Sequence, residues 1–230
     1  MKYIRGIIYI IALNLALLIE VVSRMRHIGP FHTSQTQWYG LAAVVFLYCS
    51  LLPTPLYLAW PNLPARKPAM RAKKAFGISA FFFAFLHSIY GWLFFGSFYN
   101  LSFWGLGEQV SLAIGLAALI ILAALAVTSL KRLKRPMGPW WKRLHRFVYL
   151  AAFLTYVHAV TITIHLANIP LIFLLAFAPT EFLFVLQAIR FHRYLKTTRP
   201  TFPTWLSVVV MIGLSLVIFW SFFLISHHRH

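Results

Sequence analysis

The chain has 230 residues, 61% of them hydrophobic and 10% charged, with a mean hydropathy of +0.78. A soluble domain has no way to hide that much apolar surface, so the composition points to an all-α, polytopic membrane helix bundle. Twenty-one lysines and arginines stand against three acids, Glu20, Glu108 and Glu181. The basic residues fall between apolar runs, which marks membrane topology and argues against nucleic-acid binding. The single cysteine, Cys49, excludes disulfides within the chain, iron–sulfur clusters and cysteine-rich zinc sites.

A helix of about 20 apolar residues crosses the hydrocarbon core. Taken in chain order, seven runs qualify, at roughly 6–23, 38–58, 75–97, 109–130, 144–166, 169–189 and 204–226. The first resembles a signal peptide, but Ser23-Arg24-Met25-Arg26 follows it where a small-residue cleavage site belongs, so a retained helix is expected. Pro53 and Pro55 are expected to bend the end of the second span. The connection 98–108, FYNLSFWGLG in its core, is aromatic in the manner of a membrane-interface belt. The fifth and sixth spans are separated only by Asn168 to Pro170 and should form a tight antiparallel pair. No internal repeat or low-complexity tract stands out.

Orientation follows from the basic residues. Loops 59–74, 131–146 and 190–203, with Lys2 and Arg5, place eighteen of the 21 positive charges on one side, which becomes the cytoplasmic side. The N-terminus is then inside and the C-terminus outside.

Ten histidines occur. His27, His32, His192 and the tail residues His227, His228 and His230 read as solvated or interfacial. His87, His145, His158 and His165 lie in or at the edges of apolar spans, where an ionisable group is expensive and points to function. His87 follows Lys74 by thirteen residues and His158 follows Arg143 by fifteen, which puts both about 20 Å from the cytoplasmic surface. Two histidines at one depth on different helices are what a bis-imidazole haem needs. Gly77, Ala80, Ala84, His87 and Gly91 share one helix face, small enough either to admit a flat macrocycle or simply to pack against another helix.

His145 lies about 20 Å from His158 along the axis, one haem layer lower, but about 140° away around an ideal helix. That mismatch counts against a common ligand face. Lys73 is the candidate partner for His145 in this inner layer. His165 lies on the face of His158 and is a candidate alternative ligand, or a hydrogen-bond partner for a haem propionate or a quinone. No catalytic side chains are singled out. Lys142, Arg143 and Arg146 suit haem propionates or, more simply, membrane lipid headgroups. No glycine-rich dinucleotide fingerprint occurs, so nicotinamide chemistry is expected on a separate chain.

RAKKAFGISAFFFAFLHSIYG and WKRLHRFVYLAAFLTYVHAV carry a resemblance. Together they resemble the ferric reductase-like transmembrane superfamily, and within it the haem-binding membrane subunits of the MsrQ/YedZ type. The likeness runs from about Arg71 to His158 and is weak in the first two helices and the last. It implies a haem-binding core over 61–190, preceded by two helices in 1–60 and followed by a further helix and tail in 191–230. A six-helix core is the alternative to seven spans. The resemblance implies haem b held by His87 and His158, with His145 at or beside a second haem. That type carries arginine where this chain has Lys73, which puts the second haem in question.

The resemblance further implies a multi-pass protein of a bacterial inner membrane. Its electrons would come from a cytoplasmic flavin reductase or a quinol donor, with FMN or a quinone as further cofactors. They would pass to a periplasmic redox partner, which for that type is a molybdopterin reductase. Two other classes compete with an oxidoreductase membrane subunit. A histidine-lined proton or metal transporter would want more carboxylates than three, and a non-catalytic membrane scaffold would bind no haem.

Overall fold

A computed structural model describes residues 3–25, 31–95, 105–162 and 170–198, together with 209 and 213. His27, His165, the tail histidines, most of the expected 204–226 span and most of the aromatic loop lie outside these residues. Among the described residues the fold is all-helical, without strands. The helices are α1 (Ile4–Met25), α2 (Phe31–Leu51), α3 (Pro53–Ala59), α4 (Arg66–Phe95), α5 (Leu106–Thr128), α6 (Lys131–Met137), α7 (Pro139–Leu144), α8 (Val148–Ile162) and α9 (Pro170–Thr198). A 3₁₀ turn, His145–Phe147, leads into α8.

Three of these are long and apolar enough to cross a membrane: α1, residues Arg66–Leu93 of α4, and α5. Gln35–Leu51 and Pro53–Ala59 make a fourth if taken as one span bent by 42°. The bend falls where the prolines of the second run anticipate it. Several basic loops turn out to be helical. Arg66, Lys67, Arg71, Lys73 and Lys74 lie on the first turns of α4, because Ala, Lys, Arg and Met extend a helix readily and Pro68 is tolerated in its first turn. Arg190, Arg193 and Lys196 likewise continue α9. Between α5 and α8 the chain breaks into the short helices α6 and α7, separated by Gly138 at a φ of 48°.

The chain divides into two compact units, Met1–Ser50 with Arg71–Ile162, and Leu51–Met70 with Thr163–His230. In the second unit α3 packs against α9. There the Arg193 guanidinium donates to the Leu58 carbonyl, and the Tyr57 hydroxyl donates to the Pro64 carbonyl at 2.7 Å.

The first unit holds two antiparallel helix pairs. In one, α2 and α4 meet through a file of aromatic rings. Phe83 is fully buried and stacks on Phe46 at 5.3 Å, Phe46 reaches Phe76 at 6.0 Å, and Tyr39 touches Phe83 and Tyr90 at 6.3 and 5.2 Å. Burying rings of this size dominates the packing of such a pair. In the other pair, alanines let α5 and α8 approach closely, with Ala118 and Ala151 both buried.

Candidate cofactor site: two facing histidines

Each histidine is fixed by the helix opposite. His87, on α4, places Nδ1 2.8 Å from the carbonyl oxygen of Thr36 on α2. His158, on α8, places Nδ1 2.8 Å from the carbonyl oxygen of Ser111 on α5. A carbonyl only accepts, so Nδ1 carries the proton in both rings and Nε2 is left with its lone pair. That is the tautomer a metal requires when the second ring nitrogen is held by an outer partner.

The two rings then meet. Their centroids lie 6.0 Å apart with the planes at 78°. Two neutral imidazoles brought this close on different helices are a donor set that suits haem iron. The chemistry of the pair, each ring with Nδ1 bonded to a main-chain carbonyl, is that of haem-ligating histidines. Among the described residues no group of three or more histidine, cysteine or acidic side chains gathers into a metal site.

Residues 39–156 match the family described as the ferric reductase like transmembrane component, a stretch that contains His87, His145 and Gly115. The chain belongs to this family. It is also 35% identical over 141 residues to the protein-methionine-sulfoxide reductase heme-binding subunit MsrQ of Pectobacterium atrosepticum, a match that covers 60% of this chain and 68% of that protein. The resemblance read from the two histidine-bearing segments is thereby established at the level of the family.

The other predicted positions of this ferric reductase-like chain fall out differently. His145 sits at the far end of the α5–α8 pair. Its ring packs against Trp141, centroids 4.1 Å apart and planes tilted by 32°, and its Nε2 lies 3.3 Å from the Thr128 hydroxyl. Trp141 donates its indole N–H to the Thr128 carbonyl at 3.1 Å and carries Lys134 over its ring at 4.2 Å. Lys73 is half-buried on α4, and it is the next residue, Lys74, that donates to the Ser129 carbonyl beside this cluster. The 3₁₀ turn at His145–Phe147 bears on the angular objection. Three residues turning by about 120° instead of 100° reduce the offset from about 140° to about 80°.

The small-residue face of α4 does not open toward the His87–His158 gap. A Cβ on Gly77 would meet Ser50, and one on Gly91 would meet Thr36, both on α2. Those glycines serve helix–helix contact, the plainer of the two readings of the stripe. The glycines that do touch the rings, Gly40 and Gly115, lie on the partner helices and were missed.

A second feature was also missed. Glu20, near the end of α1, accepts from Gln35 at 2.6 Å, Tyr90 at 2.8 Å and Tyr39 at 3.3 Å, and pairs with Arg24 at 2.7 Å. Four donors offset the cost of a carboxylate in an apolar helix and tie α1 to α2 and α4. Only the Glu20/Arg24 spacing of one helical turn was visible in the sequence.

Proposed function

We propose that this chain is a b-type haem electron-transfer subunit of a bacterial inner membrane, with His87 and His158 as the residues that would hold the haem iron. The observation that carries the reading is the facing pair of imidazoles, each with Nδ1 already bonded to a main-chain carbonyl. Haem, when bound, supplies a one-electron couple. The residues of the chain do the rest. His87 and His158 would hold the iron, and the carbonyls of Thr36 and Ser111 would orient the rings and raise their donor strength.

By the positive-inside reading the N-terminus is cytoplasmic and this haem lies in the outer half of the bilayer. Electrons come from a cytoplasmic flavin reductase or a quinol and leave to a periplasmic redox partner, in keeping with the relative whose name joins haem binding to methionine sulfoxide reduction. His145 is the candidate ligand of a second, inner haem, with Lys73 as the other candidate. The Thr128 hydroxyl at its Nε2 has to give way for that to happen. FMN or a quinone would serve as the carrier on the cytoplasmic side. His165 stays a candidate for a propionate or quinone contact.

Purified protein is expected to show a reducible b-type absorbance and a pyridine haemochrome signal. A preparation with neither overturns the proposal.

A further inference from the structure

The two histidines sit in two copies of one backbone notch. On α2 the notch reads Thr36-Gln37-Trp38-Tyr39-Gly40-Leu41-Ala42-Ala43, and on α5 it reads Ser111-Leu112-Ala113-Ile114-Gly115-Leu116-Ala117-Ala118. Each is a hydroxyl residue, three others, then Gly-Leu-Ala-Ala. The carbonyl of the first residue accepts from the histidine Nδ1–H at 2.8 Å in both copies.

The glycine is four residues further on. Positions i and i+4 stack on one face of a helix, so a side chain there would project over the carbonyl that the ring must reach. The clearances bear this out. A Cβ at position 115 would lie 2.6 Å from His158 Nδ1 and 2.7 Å from Cε1, and a Cβ at position 40 would lie 3.0 and 3.2 Å from the same atoms of His87.

The copies agree in burial as well as in sequence. Leu41 and Leu116 face outward at 39% and 57% exposure, while Ala43 and Ala118 are buried at 7% and 4%. The match extends to the ligand-bearing helices, where Ala80 and Ala151, each seven residues before its histidine, are both fully buried. The pairs α2 with α4 and α5 with α8 thus share one arrangement of carbonyl, glycine and buried alanine around a histidine.

We infer that this repeated notch is an imidazole-orienting device, in which Gly40 and Gly115 are positioning residues that hold each ring on a main-chain carbonyl and thereby set the donor strength of its Nε2. The inference rests on the two-histidine haem reading above. A ring that donates from Nδ1 is the more basic ligand and favours ferric iron, so losing that bond raises the midpoint potential of any haem that is still bound.

The test uses the full-length protein in detergent, as wild type, Gly40→Ala, Gly115→Ala and the control Gly107→Ala. An added Cβ at Gly107, on the same helix as Gly115, meets nothing within 4 Å. Haemin titration of the haem-depleted protein, the low-spin EPR signal and the midpoint potential are measured for each. Gly40→Ala and Gly115→Ala are expected to bind haemin roughly 10–100-fold more weakly, with shifted EPR g-values and a higher potential, the larger effect falling at 115. Gly107→Ala is expected to match wild type.

Wild-type affinity, EPR and potential in both notch variants would overturn the inference, and so would equal losses in the Gly107→Ala control. Should Gly115→Ala fail to accumulate, Gly40→Ala decides, since a ring tilt can accommodate its milder contact. Haem-free wild type, or full haem retention in His87→Ala, defeats the underlying assignment. Haem lost from the histidine variants but unperturbed in the glycine variants defeats the notch alone.

Discussion

His158 and Ser111 are bound to each other through main chain and side chain together. The ring Nδ1 donates to the Ser111 carbonyl at 2.8 Å, while the serine hydroxyl reaches Thr161, about one helical turn beyond the histidine on α8. Ser111 is almost fully buried, so this contact closes the α5–α8 interface at the level of the ring. The roles divide largely by atom: the carbonyl takes the short bond from the imidazole, while the hydroxyl, only 3.4 Å from both Nδ1 and the His158 carbonyl, chiefly joins the helices.

That separation predicts a mild phenotype for Ser111→Ala. The carbonyl stays, so the b-type spectrum is expected to be retained. The lost hydroxyl contacts cost about 1 kcal/mol, read as a small drop in thermal unfolding temperature in detergent. Loss of the haem from this variant would show that the hydroxyl, and not the carbonyl, holds the ring.

On the proposed assignment, His87→Ala and His158→Ala are each expected to remove most of the b-type haem. One remaining imidazole cannot hold low-spin iron from both faces. Reduced-minus-oxidised difference spectra of membranes, normalised to protein, measure this directly.

His145→Ala is expected to leave the haem of the His87–His158 pair in place and to abolish any second haem signal. Its ring is about 20 Å from His158 along the helix, too far to perturb that iron. Haem-to-protein stoichiometry before and after the substitution separates the two outcomes.

Glu20→Ala is expected to lower stability by about 1.5–3 kcal/mol, the range for hydrogen bonds to a charged group, because Gln35, Tyr39 and Tyr90 lose a shared acceptor. Tyr90→Phe is expected to lose about 1 kcal/mol. Thermal unfolding followed by circular dichroism reads both, and the haem spectrum is expected to be unchanged.

Removing haem is expected to lower the unfolding temperature of wild type by several degrees. A ligand at a hundred times its dissociation constant stabilises the folded state by about 2.7 kcal/mol. The same depletion is expected to have almost no effect on His87→Ala, which starts without the stabilisation.

Much of the site was legible because depth in a membrane can be counted. His87 and His158 lie at matched distances from basic residues, and a fixed rise per residue turns that match into a shared level. The α-helical class and the bend near Pro53 were legible for similarly local reasons. The notches were not, because the small residues that stand out in the sequence, Gly77 and Gly91, share a helix with His87. The residues that make room for an imidazole belong to the helix across from it. Nothing along α4 points to Gly40, and nothing along α8 points to Gly115.

The Glu20 cluster escaped for the same reason, since its tyrosines come from α2 and α4. The stretch 66–74, expected within loop 59–74, is helical. Charge ends a membrane span, but strong helix formers carry the helix on beyond it.

The acceptor that each ring leans on is a peptide oxygen. Every amino acid brings one, so mutation at position 36 or 111 can change the side chain there without deleting the contact. The vulnerable point in each copy is instead a residue with no side chain at all. An alanine scan of this chain should show tolerance at Thr36 and Ser111 beside intolerance at Gly40 and Gly115, four residues away.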